Sequence, residues 1–203
     1  MTPGDYIAEN LARVRERIAR ACARAGRPES SVTLVAVSKT AGALEVAAAY
    51  RAGARHFGEN RTEDALPKMA EVRHLLGQAD VPGWHMIGHV QRRKARDVAP
   101  AFDLVHSVDS VELAQEFSKR LVPLGRDLPV LLEVNVSGEA SKYGFGSEDL
   151  PAAVARILML PGVRVCGLMT MAPVGETPEA TLTSRAHSAT PCRRASFPER
   201  FHA

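Results

Sequence analysis

The chain has 203 residues, 45% hydrophobic and 24% charged, which provides for one soluble globular domain or a single barrel cut short. A net charge of +3 with a pI near 8.9 is too mild to indicate a nucleic-acid or membrane partner. Cys22, Cys166 and Cys192 stand far apart with no C-x-x-C pair, which argues against a disulfide framework or a zinc knuckle and for a reducing cytoplasm. The N-terminus lacks an apolar signal core, Asp5, Glu9 and Glu16 speak against a transit peptide, and no segment approaches a membrane span.

In chain order, Ile7, Leu11, Val14, Ile18 and Cys22 recur at helical steps, and Gly26 and Pro28 mark that helix's end. Its arginine-rich face is expected to be solvated. "SVTLVAVSKT" (31–40) then reads as a strand buried on both faces, with Val35, Val37 and Lys39 on one side. "AGALEVAAAYRAGA" is a predicted helix and "RHFGEN" a short strand. "RTEDALPKMAEVRHLLG" is helical despite Pro67, "GWHMIGHV" a strand, "QRRKARDVAPAF" a short helix and "DLVHSVDS" a strand. "VELAQEFSKRLVPLG" is helical, "LPVLLEVNVS" a strand, "SEDLPAAVARILML" helical and "VRVCGLMTMAP" the sixth strand.

Strict alternation implies parallel strands with right-handed crossovers, hence a doubly wound sheet or a (β/α) barrel. Lys39, Asn60, His89, Ser107, Asn135 and Met169 at strand ends favour a barrel with one C-terminal mouth. "SKTAGALE" carries no nucleotide-binding glycine fingerprint. The expected fold is therefore a (β/α)8 barrel of the TIM type, truncated after the sixth strand. Residues 1–175 form the incomplete barrel and 176–203 an irregular tail rich in Ser, Thr, Arg, Pro and Ala. Truncation or an altered reading frame is the expected origin of that tail, and it leaves two sheet edges exposed.

Lys39 has three readings: a snorkelling lysine, a partner for Glu59 or Glu133, or an amine that attacks an aldehyde. His85 and His89, four apart on a strand, would lie roughly 13 Å apart at about 3.3 Å per residue, too far to share a zinc ion, so no metal is expected. His89, nearer the mouth, is either a ligand contact or a structural histidine. Four positive charges in "QRRKAR" (91–96) read as a solvated helix face, with nucleic-acid binding as the weaker alternative. The loop "NVSGEASKYGF" (135–145) either covers the mouth, with Lys142 or Tyr143 near a ligand, or is a long connection. No Walker, H-E-x-x-H or G-x-S-x-G motif occurs.

Together "VTLVAVSKT", "FGENR", "WHMIGHVQRRK", "HSVDS", "EVNVSGEASKYGF" and "GLMTMAP" resemble, in order and spacing, the pyridoxal phosphate (PLP) homeostasis proteins. These are barrels similar to the N-terminal domain of alanine racemase, and the likeness covers residues from about 5 to 175. It implies that Lys39 holds pyridoxal 5'-phosphate as a Schiff base, with Asn60 and Met169 near the cofactor. It also implies a cytoplasmic binder that stores PLP or delivers it to PLP-dependent apo-enzymes and has no catalytic residue. Membrane and nucleic acid are not among the implied partners.

The sequence departs from the family after "GLMTM": the serine- and glycine-rich "SMGMS"-like phosphate loop and the final arginine-bearing strand do not occur. The expectation is a surviving covalent anchor with impaired phosphate binding. A racemase-like enzyme and an inert truncated fragment are the alternatives; the former needs a second acid/base, for which Tyr143 is the only nearby candidate.

Overall fold

The structure is a computed structural model and describes residues 3–77, 81–136 and 143–171. The chain divides after His85 into two compact units. The first opens with helix α1 (Pro3–Arg24) and a single 3-10 turn at Glu29–Ser31. Strand β1 (Val35–Val37), helix α2 (Ala43–Arg51), strand β2 (His56–Glu59) and helix α3 (Thr62–Leu76) follow. Strand β3 (Gly83–Met86) spans the division. The apolar stripe of α1 is only half-covered: Cys22 is buried, while Val14 is exposed. Its arginine face is not wholly solvated either, because Arg15 Nη2 donates to Gly53 O at 2.6 Å and so clips α1 to the end of α2. Pro67 sits inside α3, where it has no N–H for the helical ladder, and the helix runs through it.

The second unit holds a 3-10 turn at Arg92–Lys94, helix α4 (Ala95–Ala101), strand β4 (Leu104–Val108) and helix α5 (Val111–Leu121). After a further 3-10 turn at Val122–Leu124 come strand β5 (Leu128–Glu133), helix α6 (Leu150–Ile157) and strand β6 (Val163–Met169). Ser110 caps α5 by accepting from Leu113 N at 3.3 Å. Phe102, Leu104, Leu113, Phe117, Leu121, Leu128, Leu132 and Ile157 are fully buried. Each contributes about 1.5–3 kcal/mol by leaving water. The first unit's core is lighter: Val46, Ala47, Ala65 and Val72 are buried, and the Phe57 and Trp84 rings meet at 5.7 Å. No described helix is long and apolar enough to cross a membrane.

The six strands lie in one sheet in the order β1-β2-β3-β4-β5-β6. Pairing is parallel in register Val37↔Gly58 between β1 and β2, Val105↔Val130 between β4 and β5, and Glu133↔Met169 between β5 and β6. Helices α2 to α6 are thus crossovers between spatial neighbours, the alternation that the sequence pattern implied. One expectation is corrected: β1 is not buried on both faces. Val35 and Ala36 are half-covered and Val37 is 57% exposed. Among the described strands β1 has a neighbour on one side only, and there its side chains lack half of the flanking cover a central strand has. Leu168 is exposed on β6, the other edge among the described strands.

His106, in the middle of β4, has its pKa lowered from 6.5 to about 4 because burial disfavours the imidazolium. Between those values the unfolded chain binds the proton and the folded chain does not, so stability rises with pH across that window. Urea unfolding is expected to lose up to about 3 kcal/mol from this group as pH falls from 6.5 towards 4. In His106→Gln that part of the acid sensitivity disappears; an unchanged pH profile would show that other groups carry it.

Candidate functional site

Lys39 follows β1 in a turn, exposed, and Asn60 follows β2, half-buried. Each lies two residues past the paired Val37 and Gly58, so the β1–β2 register brings both to the same end of the two strands. Lys39 makes no hydrogen bond or ion pair with any described residue. Of the three readings of Lys39, the pairing with Glu59 does not form. Glu59, fully buried at the end of β2, takes Lys68 of α3 instead, Nζ to Oε1 at 2.9 Å. The same Oε1 accepts from Ser38 Oγ at 2.6 Å, and Lys68 Nζ also donates to Ser38 O at 2.7 Å. Three elements are thereby tied at one point, one residue before Lys39. The other carboxylate oxygen, Oε2, has no hydrogen-bond partner.

His85 of β3, which the sequence reading weighed against His89 as a metal pair, is bonded to His56 of β2 instead. Nε2 of His85 lies 3.2 Å from Nδ1 of His56, both rings being buried and set edge to face. Gly83 makes room for this pair, since a Cβ there would fall 2.5 Å from His56 Nδ1.

In the second unit His89 lies beyond the end of β3, in the connection to the turn at 92–94. Its Nδ1 is 2.9 Å from Oδ2 of Asp109, which follows β4. The ring stacks on Tyr143, centroids 3.7 Å apart and planes within 13°. Tyr143 is held from its C-terminal side: Phe145 N donates to Glu133 O at 2.8 Å and Asn135 N to Phe145 O at 3.0 Å. Gly144 permits that close return with φ +115°, where a Cβ would meet Asn135 N at 2.7 Å. Glu133 has its pKa raised, first by burial and then by the Asp109 carboxylate, with His89 opposing. Met169, last residue of β6, pairs with Glu133 and its carbonyl accepts from Val134 N. Lys142 lies outside the described residues. The charged residues of the "QRRKAR" run are mostly exposed, three of them on the 3-10 turn at 92–94 and only Arg96 in α4.

Residues 9–196 match the family described as alanine racemase, N-terminal domain. A pyridoxal phosphate homeostasis protein of Pseudomonas aeruginosa is 47% identical over 166 residues, 81% of this chain and 70% of that protein. One from Escherichia coli is 39% identical over 173 residues, 84% of this chain and 72% of that one. Among solved structures, PipY of Synechococcus elongatus with PLP bound superposes with a TM-score of 0.74 at 37% identity, covering 90% of this chain and 78% of PipY. The chain belongs to the alanine racemase N-terminal domain family, and within it to the pyridoxal phosphate homeostasis proteins.

Removing one partner of a buried ion pair leaves the other charge uncompensated. Lys68→Met is therefore expected to lower stability by about 3–5 kcal/mol in urea unfolding. Adding Glu59→Leu to that variant should recover much of the loss, since both charges are then gone. A Lys68→Met protein as stable as the parent would show that the pair is not required.

Proposed function

We propose that this protein binds PLP with Lys39 as the covalent anchor and takes part in intracellular PLP homeostasis as a carrier, not a catalyst. The observation that carries the reading is an amine at a strand end which no described carboxylate claims, in a chain 47% identical to a protein named for PLP homeostasis. When bound, PLP supplies an aldehyde that condenses with a primary amine and releases water. A lysine held in an ion pair would have to break it first; Lys39 has none to break among the described residues.

The network of Ser38, Glu59 and Lys68 fixes the backbone from which Lys39 projects, so the anchor's root is rigid while its stem is free. Asn60 contributes an amide that donates and accepts at the neighbouring strand's end. Met169 is assigned a contact through its polarizable thioether, as the sequence resemblance implies. The segment from 176 onward carries no "SMGMS"-like stretch, so the reading gives the covalent anchor the larger share of affinity. PLP-dependent apo-enzymes of the cytoplasm are the recipients it foresees.

The test is to mix protein and PLP, reduce with borohydride and map the labelled peptide. The reading expects saturable label on Lys39, lost in a folded Lys39→Ala protein. Label spread over surface lysines, or retained in Lys39→Ala, would overturn it.

A further inference from the structure

The stacked pair of His89 and Tyr143 lines a cavity of about 470 Å³ in the second unit, together with Gln91, Arg92, Asp109 and Ser110. This volume is within the range of small-molecule sites. The acidic group in its wall is already satisfied. Oδ2 of Asp109 is taken by His89 and Oδ1 by the Ser110 hydroxyl at 3.0 Å. The donors in the wall are not. The guanidinium of Arg92 and the hydroxyl of Tyr143 have no protein partner among the described residues, whereas the neighbouring Arg93 is bonded to Gln91 Oε1 at 2.8 Å. That bond occupies the oxygen of Gln91 and leaves its NH2 group. With Nδ1 committed to Asp109, only Nε2 of His89 is open, and in the neutral ring that donates from Nδ1 it is an acceptor.

A cavity that presents an unpaired guanidinium and an unpaired phenol hydroxyl, beside a carboxylate already bonded on both oxygens, suits an anion. We propose that it binds a small carboxylate, of the size of an oxo or amino acid, with Arg92 as the principal contact and Tyr143 and Gln91 as secondary donors. A planar carboxylate matches the fork of an arginine, and a cationic donor makes the stronger kind of hydrogen bond. Among the described residues no group of three His, Cys, Asp or Glu is arranged for a metal. Asp109 and Ser110 act as positioning residues: Asp109 fixes the His89 ring, and Ser110 holds Asp109 while capping α5. The proposal goes beyond the PLP reading and uses none of its residues.

It is tested by titrating the PLP-free protein with pyruvate, and separately with inorganic phosphate, while following the backbone and imidazole resonances of residues 89–92 by NMR. Expected are saturable pyruvate shifts, weakened about tenfold by Arg92→Met, the loss of one charge-assisted hydrogen bond. Tyr143→Phe, which removes only the hydroxyl, should weaken binding by a smaller factor and serves if Arg92→Met does not fold. Lys39→Ala should leave pyruvate binding intact, so failure of the PLP reading and failure of this one are separately visible. No saturable pyruvate shift, shifts with phosphate alone, or affinity indifferent to both substitutions would overturn the proposal.

Discussion

The end of the first unit that carries Lys39 depends on one buried carboxylate. Glu59 is entirely out of water, a position that costs several kcal/mol unless the charge is met by a partner and hydrogen bonds. Lys68 and Ser38 meet it, and because Lys68 also holds the Ser38 carbonyl, the charge is compensated only when β1, β2 and α3 are all in place. A one-residue slip of β1 would turn its side chains to the opposite faces and break the bonds of Ser38 to Glu59 and Lys68 together. The short edge strand β1 has few other constraints, with Val37 exposed and three residues in the ladder. Its register beside β2 is held by that polar knot as well as by the ladder.

This explains which parts of the chain were legible in the sequence. The helices and strands were, because period and punctuation are local: the stripe of α1 ending at Gly26, the valine-rich β1, the run before Asn135. Even Pro67 within α3 did not mislead, since the flanking periodicity continues through it. Burial was less legible. A run of valines reads the same in a covered strand and at an open edge, because the difference lies in neighbours the local sequence does not contain. The same limit applies to Glu59, whose partner sits nine residues on, in the next helix. Its spacing from Lys39 offered a pairing as plausible as the one that forms. His85 pairs with a histidine from the preceding strand, a juxtaposition that only the β2–β3 pairing creates.

The candidate site divides in the same way. Lys39 and Asn60 could be placed from strand-end position and the family motifs, and their common level follows from the β1–β2 register. The partnership of His89, Asp109 and Tyr143 could not, because its members come from the ends of three different strands. One signal was present: in "NVSGEASKYGF" a glycine directly follows Tyr143, and a glycine at that point is what allows the loop to return onto β5. Read physically, that glycine marks a fixed tyrosine instead of a loose loop.

Each unit thus carries a polar assembly at the ends of its strands, and the two are built on opposite principles. Around Glu59 the charge is buried and met on Oε1 by Lys68 and Ser38, with Oε2 unpartnered, and the assembly serves to hold backbone. Around His89 the side chains are partly open and the carboxylate is engaged on both oxygens, which leaves cationic and hydroxyl donors in surplus. Lys39 lies beside the first kind of assembly without belonging to it. Its backbone is anchored through its neighbours' hydrogen bonds, and its amine bonds to no described residue.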